Sequence, residues 1–230
     1  MKPFSIALVF CFLSCQKSEK IVISEPKGIK PQKPSLEYLT DSLAIEGTMY
    51  TVIQGYPGSH NNLPLRILYK GDTIYTHPNF AGNGFEFEDV DRDSINDISL
   101  NQLSNVGGVK ELIIFDRKTD TFREIKDFSD FPSSERLEGT KYFYSNHRMG
   151  CAGGMWGSEL FYIDNFEAKS IARIFVVTCR DADYAMGVTI YKIEGKNERI
   201  MEQMVKVPAK YQNETAFFKD YWAKNYKRFE

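Results

Sequence analysis

"VKELIIFDRKTDTFREI", residues 109–125, is two runs of β-branched and aromatic side chains around a polar turn, Asp116 to Asp120. That pattern predicts a β-hairpin. The same design precedes it in "LRILYKGDTIYTH", residues 65–77, where Lys70-Gly71-Asp72 supplies turn chemistry. "GTMYTVIQG" stands before both. "KYFYSN", "SELFYIDNFEAKSIARIFVVTC" and "GVTIYKIEGKNERIMEQMVKV" follow. Tyr, Phe, Ile, Val and Thr dominate these runs, and turns fall every 8–15 residues. No βαβ spacing is present, so the sequence predicts an all-β fold. An antiparallel sandwich and a small propeller-like arrangement both satisfy the pattern.

The chain changes character at both ends. Across "NETAFFKDYWAKNYKRF" apolar residues fall at 217, 218, 221, 222, 226 and 229 behind Asn213. That stripe predicts an amphipathic C-terminal helix packed on the β domain. At the other end, "MKPFSIALVFCFLSC" has a basic Lys2, then an apolar run from Ile6 to Leu13. The run falls short of the ~20 residues that span a bilayer, which predicts a signal peptide. It resembles a bacterial lipoprotein signal with cleavage behind Ser14 and lipid on Cys15, although Phe12 stands where leucine is usual. The predicted organisation is therefore a signal peptide over 1–14, a flexible tether over 15–43, a β domain over 44–208 and the helix over 209–230. Within the tether, "SLEYLTDSLA" is expected to add a short helix. The implied location is the cell envelope, anchored to the outer membrane.

With 230 residues, 42% of them hydrophobic, and a net charge of −2, the chain suits one ordinary globular domain. No basic excess points to nucleic acid. Cys151 and Cys179 are the cysteines left once the leader and the lipid site are set aside, and an exported protein predicts a disulfide between them. A loop of this length is worth roughly 3.6 kcal/mol in the chain-entropy model.

The most informative stretch is "EDVDRDSINDIS", residues 88–99, with aspartates at 89, 91, 93 and 97. As a strand, carboxylates and Ile95 would share one face; as a helix, Asp89, Asp93 and Asp97 would stack and repel. A loop wrapped around a hard cation removes the conflict. Asp89, Asp91, Asp93, the Ile95 carbonyl and Asp97 stand at positions 1, 3, 5, 7 and 9 of an EF-hand-like calcium loop. Ser94 replaces the usual glycine and must accept its backbone angle. Leu100 replaces the closing glutamate and starts the next strand.

The order of this loop, the 109–125 hairpin with Asp116, Thr119 or Thr121 and Phe122, and a turn with glycines at 150, 153, 154 and 157 resembles a group of calcium-loop periplasmic lipoproteins. Characterised members of that group inhibit lysozyme-type peptidoglycan hydrolases, some as immunity proteins against antibacterial effectors. The resemblance spans roughly residues 80–175. It implies a binding protein rather than an enzyme, with calcium as its cofactor. The alternative is a structural or glycan-binding envelope lipoprotein whose calcium only supports the fold.

An inhibitor of a glycosidase needs hydrogen-bond donors that reach paired carboxyl groups. "SNHRMGCAGGMWG", residues 145–157, offers Ser145, Asn146, His147 and Arg148, with Met155 and Trp156 as apolar anchors. "LSNVGGVK", residues 103–110, competes with Ser104, Asn105 and the Gly107-Gly108 backbone. The plainer alternative is that the glycines turn the chain and Trp156 packs inward. No H-E-x-x-H, G-x-S-x-G or P-loop pattern surrounds His60, His77 or His147, which are expected to be surface or loop histidines. Glu86 and Glu88 are expected to be structural.

Overall fold

The computed structural model describes residues 38–55, 64–77, 82–180 and 184–230. The signal peptide, Cys15, most of the tether and His60 lie outside the described residues.

The described chain forms three antiparallel sheets and one α-helix. The first sheet is a meander of β1 (Tyr38–Ile45), β2 (Thr48–Gly55), β3 (Leu65–Tyr69) and β4 (Asp72–His77). The second repeats the meander with β5 (Gly82–Glu88), β6 (Asp97–Gln102), β7 (Lys110–Asp116) and β8 (Thr121–Glu124). The third comprises β9 (Glu135–Arg136), β10 (Tyr142–Tyr144), β11 (His147–Gly150), β12 (Met155–Asp164), β13 (Glu167–Val177), β14 (Gly187–Glu194) and β15 (Asn197–Met204). Its order is β15-β14-β13-β12-β10-β9, with β11 also paired to β12. The helix α1 is Glu214–Asn225.

One prediction is corrected here. Residues expected to be tether and short helix form β1, in register with β2 from Tyr38↔Gly55 to Ile45↔Thr48. Leu, Glu and Ala favour a helix weakly, but Glu46-Gly47 forms a tight turn with φ of 48° and 82°. Positive φ at both central residues is what a two-residue hairpin needs. With that turn in place, Leu43 and Ile45 point into the core while Ser42 and Ala44 stay exposed.

The sheets are layered by their side chains, and no closed barrel forms among the described residues. Leu43, Val52, Leu65 and Ile67 of the first sheet meet Ile98, Leu100, Ile113 and Phe115 of the second in one apolar layer. The other face of the second sheet, through Leu112 and Ile114, meets Phe143, Phe161 and Ala168 of the third. Phe131 stacks on Phe161 with centroids 4.0 Å apart. The second sheet is thus buried on both faces, and β6 shows it: Asp97 through Leu100 are four buried residues in a row. A strand covered on both sides loses the alternation of a surface strand.

The remaining face of the third sheet is covered by α1, whose Phe217, Phe218 and Trp222 join Leu160, Ile174 and Ile190. The predicted cap is present: the Asn213 side chain accepts the Ala216 amide, one of the helix-start N–H groups that would otherwise lack a partner. Trp222 is fully buried, and its Nε1 donates to Ser158 Oγ at 2.8 Å. Its polar tip is therefore satisfied inside an apolar layer.

Candidate functional site

The aspartate loop joins β5 to β6 at one end of the second sheet. It folds back on its own carboxylates: Asp89 accepts the amides of Asp93 and Ser94 at 3.1 Å each, and Asp91 accepts the Asp93 amide at 3.0 Å. Ser94 does take the left-handed backbone, at φ 72°, uncommon for a residue with a Cβ. One carboxylate oxygen from each of Asp89, Asp91 and Asp97 lies within 4.8 Å of the others. Asp97 is only 3% exposed and accepts the Val90 amide at 2.9 Å. Burial, together with the charges of Asp91 and Asp93, pushes its carboxyl up to about 8. Burial, then Asp93 and Asp89, also raises Asp91. A buried carboxylate beside two others is costly unless a positive charge joins it. All-oxygen donors at this spacing fit a hard divalent ion such as Ca²⁺.

Asp93 departs from the predicted ligand set. Its Oδ1 accepts the Ile95 amide at 2.8 Å, and its Oδ2 lies 3.4 Å from Arg117 Nη1. Arg117 also donates to the Asp93 carbonyl and, through Nε, to Glu46 in the β1–β2 turn. On the other side, Arg136 of β9 donates to the carbonyls of Val90 and Asp91. The loop is therefore held between its two neighbouring sheets. The Ile95 side chain is buried in the layer between the first and second sheets.

The two candidate binding loops are joined through Ser133. Its amide donates to Gly108 O at 2.8 Å and its hydroxyl to Gly107 O at 3.3 Å. Asn146 in turn donates to Ser133 O at 3.3 Å through its side chain and to Pro132 O through its amide. Only glycine fits at 108, because a Cβ there would stand 2.1 Å from Ser133 Oγ. Ser104 and Asn105 are exposed at the tip, beside an exposed Leu103. Arg148 and Met149 are exposed on β11.

Other residues of the 145–157 segment point inward. Ser145 is fully buried and hydrogen-bonded to Glu159. His147 departs from the expected surface or loop histidine: it starts β11, its side chain is only 12% exposed, and its Nδ1 lies 3.7 Å from Glu159. Trp156 packs against the third-sheet core, its Nε1 donating to Gly153 O at 2.9 Å, and Arg148 lies 5.1 Å above its ring. The predicted disulfide links Cys151 to Cys179. Gly154 is required beside it, since a Cβ there would stand 2.9 Å from Cys179 Cβ.

The histidine expectation fails at His77. It is 4% exposed at the end of β4, and its Nε2 lies 3.2 Å from Glu111 Oε2 and 3.4 Å from Glu124 Oε2. Burial raises the Glu111 carboxyl, His77 lowers it and Glu124 raises it further. No local motif announces this group, because its members come from strands of two different sheets. Lys110 lies 3.8 Å from Glu86 and 2.9 Å from Glu88.

No protein-family model matches this chain, and no curated protein matches it. A solved structure described as a Xanthomonas type IV secretion system related protein is similar to part of it, at 14% identity and a TM-score of 0.46. The similarity covers 71% of this chain and 93% of that one. Among the described residues no helix is long and apolar enough to cross a membrane.

Proposed function

We propose that this chain is a calcium-binding, lipid-anchored envelope protein that blocks a lysozyme-type peptidoglycan hydrolase. The observation that carries the proposal is the convergence of Asp89, Asp91 and buried Asp97 at the end of the second sheet. Calcium there would neutralise the loop and stiffen the sheet that presents residues 103–108 at its opposite end. The anchor rests on the Lys2–Cys15 segment of the sequence. For the inhibitory surface, Ser104, Asn105 and Arg148 supply exposed donors, and Leu103 and Met149, 67% and 42% exposed, supply apolar contact. Stacking on Trp156 and the Ser133 link limit the ordering that binding would otherwise require.

The test is inhibition of a panel of lysozyme-type hydrolases by the purified chain, with Arg148→Ala and Ser104→Ala in any inhibited pair. Inhibition weakened by these substitutions supports the proposal; no inhibition of any panel member removes it. In cell fractions, Cys15→Ser should move the protein from membranes to the soluble fraction.

A hollow on the first and second sheets favours glycan binding as a second reading. Tyr50, Tyr69 and Phe122 line it with Asp120 and Thr121, a mix of ring faces and polar groups that suits a sugar. Retention on insoluble peptidoglycan that is lost in Tyr69→Ala would select this reading.

A further inference from the structure

We propose that His77, Glu111 and Glu124 form a second metal site, specific for a zinc-like transition ion and independent of the aspartate loop. His77 comes from β4, Glu111 from β7 and Glu124 from β8, so the site would pin the first sheet to the second. Nothing in the calcium proposal requires it.

The spacing of the donor atoms suits a metal ion. Nε2 of His77 lies 3.2 Å and 3.4 Å from carboxylate oxygens of Glu111 and Glu124. One N–H has one direction, and a charge-assisted N–H···O contact is about 2.7–2.9 Å long. Both separations exceed that length, and they are similar to each other. A tetrahedral ion with bonds of about 2.0–2.1 Å spaces its ligands roughly 3.3–3.4 Å apart. The donor atoms of all three residues lie within 4.8 Å of one another. Glu111 Oε2 is also shielded from solvent and accepts no hydrogen bond, an arrangement that a coordinating ion would explain.

The donor types agree. Imidazole with two carboxylates is a set that transition ions accept and that calcium, which prefers oxygen alone, does not. The outer contacts agree too. Gln102 Nε2 donates to the other oxygen of Glu111, fixing the carboxylate as outer groups do around bound metals. His77 is 4% exposed, whereas the Glu124 side chain is 43% exposed. An ion could thus enter past Glu124, and the fourth position would be left to water.

The experiment is zinc titration of the full chain after metal stripping, in excess calcium, against a chromophoric zinc indicator. One zinc per chain is expected. Glu124→Gln and Glu111→Gln should weaken it by more than the roughly 10–100-fold that loss of an outer contact costs, and Gln102→Ala should fall within that range. Glu124 is exposed enough for its variant to fold even where His77→Ala does not. Asp91→Asn should leave the zinc affinity unchanged. Cobalt(II) in place of zinc should give visible absorption bands in the wild type that vanish in Glu124→Gln. No zinc bound, or zinc affinity untouched by both glutamate substitutions, would overturn the site and leave His77 as a cation clamped by two carboxylates.

Discussion

The two ends of the second sheet solve the problem of crowded carboxylates in opposite ways. At the β5–β6 end, Asp89, Asp91 and Asp97 come from one short loop, and local backbone amides already satisfy much of their demand. At the other end, Glu111 and Glu124 converge on His77 from separate strands, and only the packing of two sheets brings them together. β6 connects the two, carrying Asp97 at its start and Gln102 at its finish. The difference teaches that a local cluster can persist in a loosened fold, whereas a cluster built across sheets requires the layer beneath it.

The strongest way to break the comparison is to damage what both ends share. Leu100 is fully buried between the first two sheets. Leu100→Ala should cost about 2–5 kcal/mol, measured as a fall in the urea midpoint at unchanged slope. It should weaken the His77 group much more than the aspartate loop. Equal losses of metal affinity at both ends would contradict the contrast between local and assembled sites.

The next effect is calcium itself. A site with a dissociation constant near 10⁻⁵ M adds about 2.7 kcal/mol in millimolar calcium. Chelation should lower the melting temperature of the wild type and leave Asp91→Asn nearly unmoved. The His77 end, about 17 Å away along β6, should contribute additively. In the chelated protein a pH dependence should appear as well. Asp97 titrates at about 8 in the fold, against ~3.9 for a free carboxyl. Between those values the folded chain holds a proton that the unfolded chain releases, so raising the pH from 5 to 8 should lower the melting temperature. Calcium should flatten that slope, and a flat slope without calcium would mean that Asp97 has another counter-charge.

These expectations also mark what was legible in the sequence. The aspartate loop was, because its spacing is contiguous. So were the hairpins on either side of Lys70-Gly71 and Asp116–Asp120, and the Asn213-capped helix. β1 was missed because its composition leans helical and its strand state depends on pairing with β2. His77 was missed because its partners are distant in the chain. Asp93 followed its spacing, but Arg117 from the β7–β8 turn drew its carboxylate aside, a contact that no loop pattern contains.

The smallest effect concerns Arg117. Its guanidinium and its partners Glu46 and Asp93 are partly exposed, and such pairs contribute about 0.2–1 kcal/mol. Arg117→Ala should therefore shift thermal unfolding little. It should also free Asp93 to join the loop's other carboxylates, so the mutant's calcium affinity, measured by titration, should rise or hold. A clear fall would show that Arg117 shapes the loop rather than competing with it.

The link through Ser133 has a consequence for how the molecule breathes. Gly108, Ser133 and Asn146 are joined in series, and Asn146 Oδ1 also accepts from Thr215 at the start of α1. The amides of Ser133 and Asn146 exchange with solvent only when these contacts part. Segments far apart in the chain are therefore expected to open together. Hydrogen exchange at Ser133 and Asn146 should follow a single opening rate, and a ligand held on residues 103–108 would slow exchange at Asn146 without touching it.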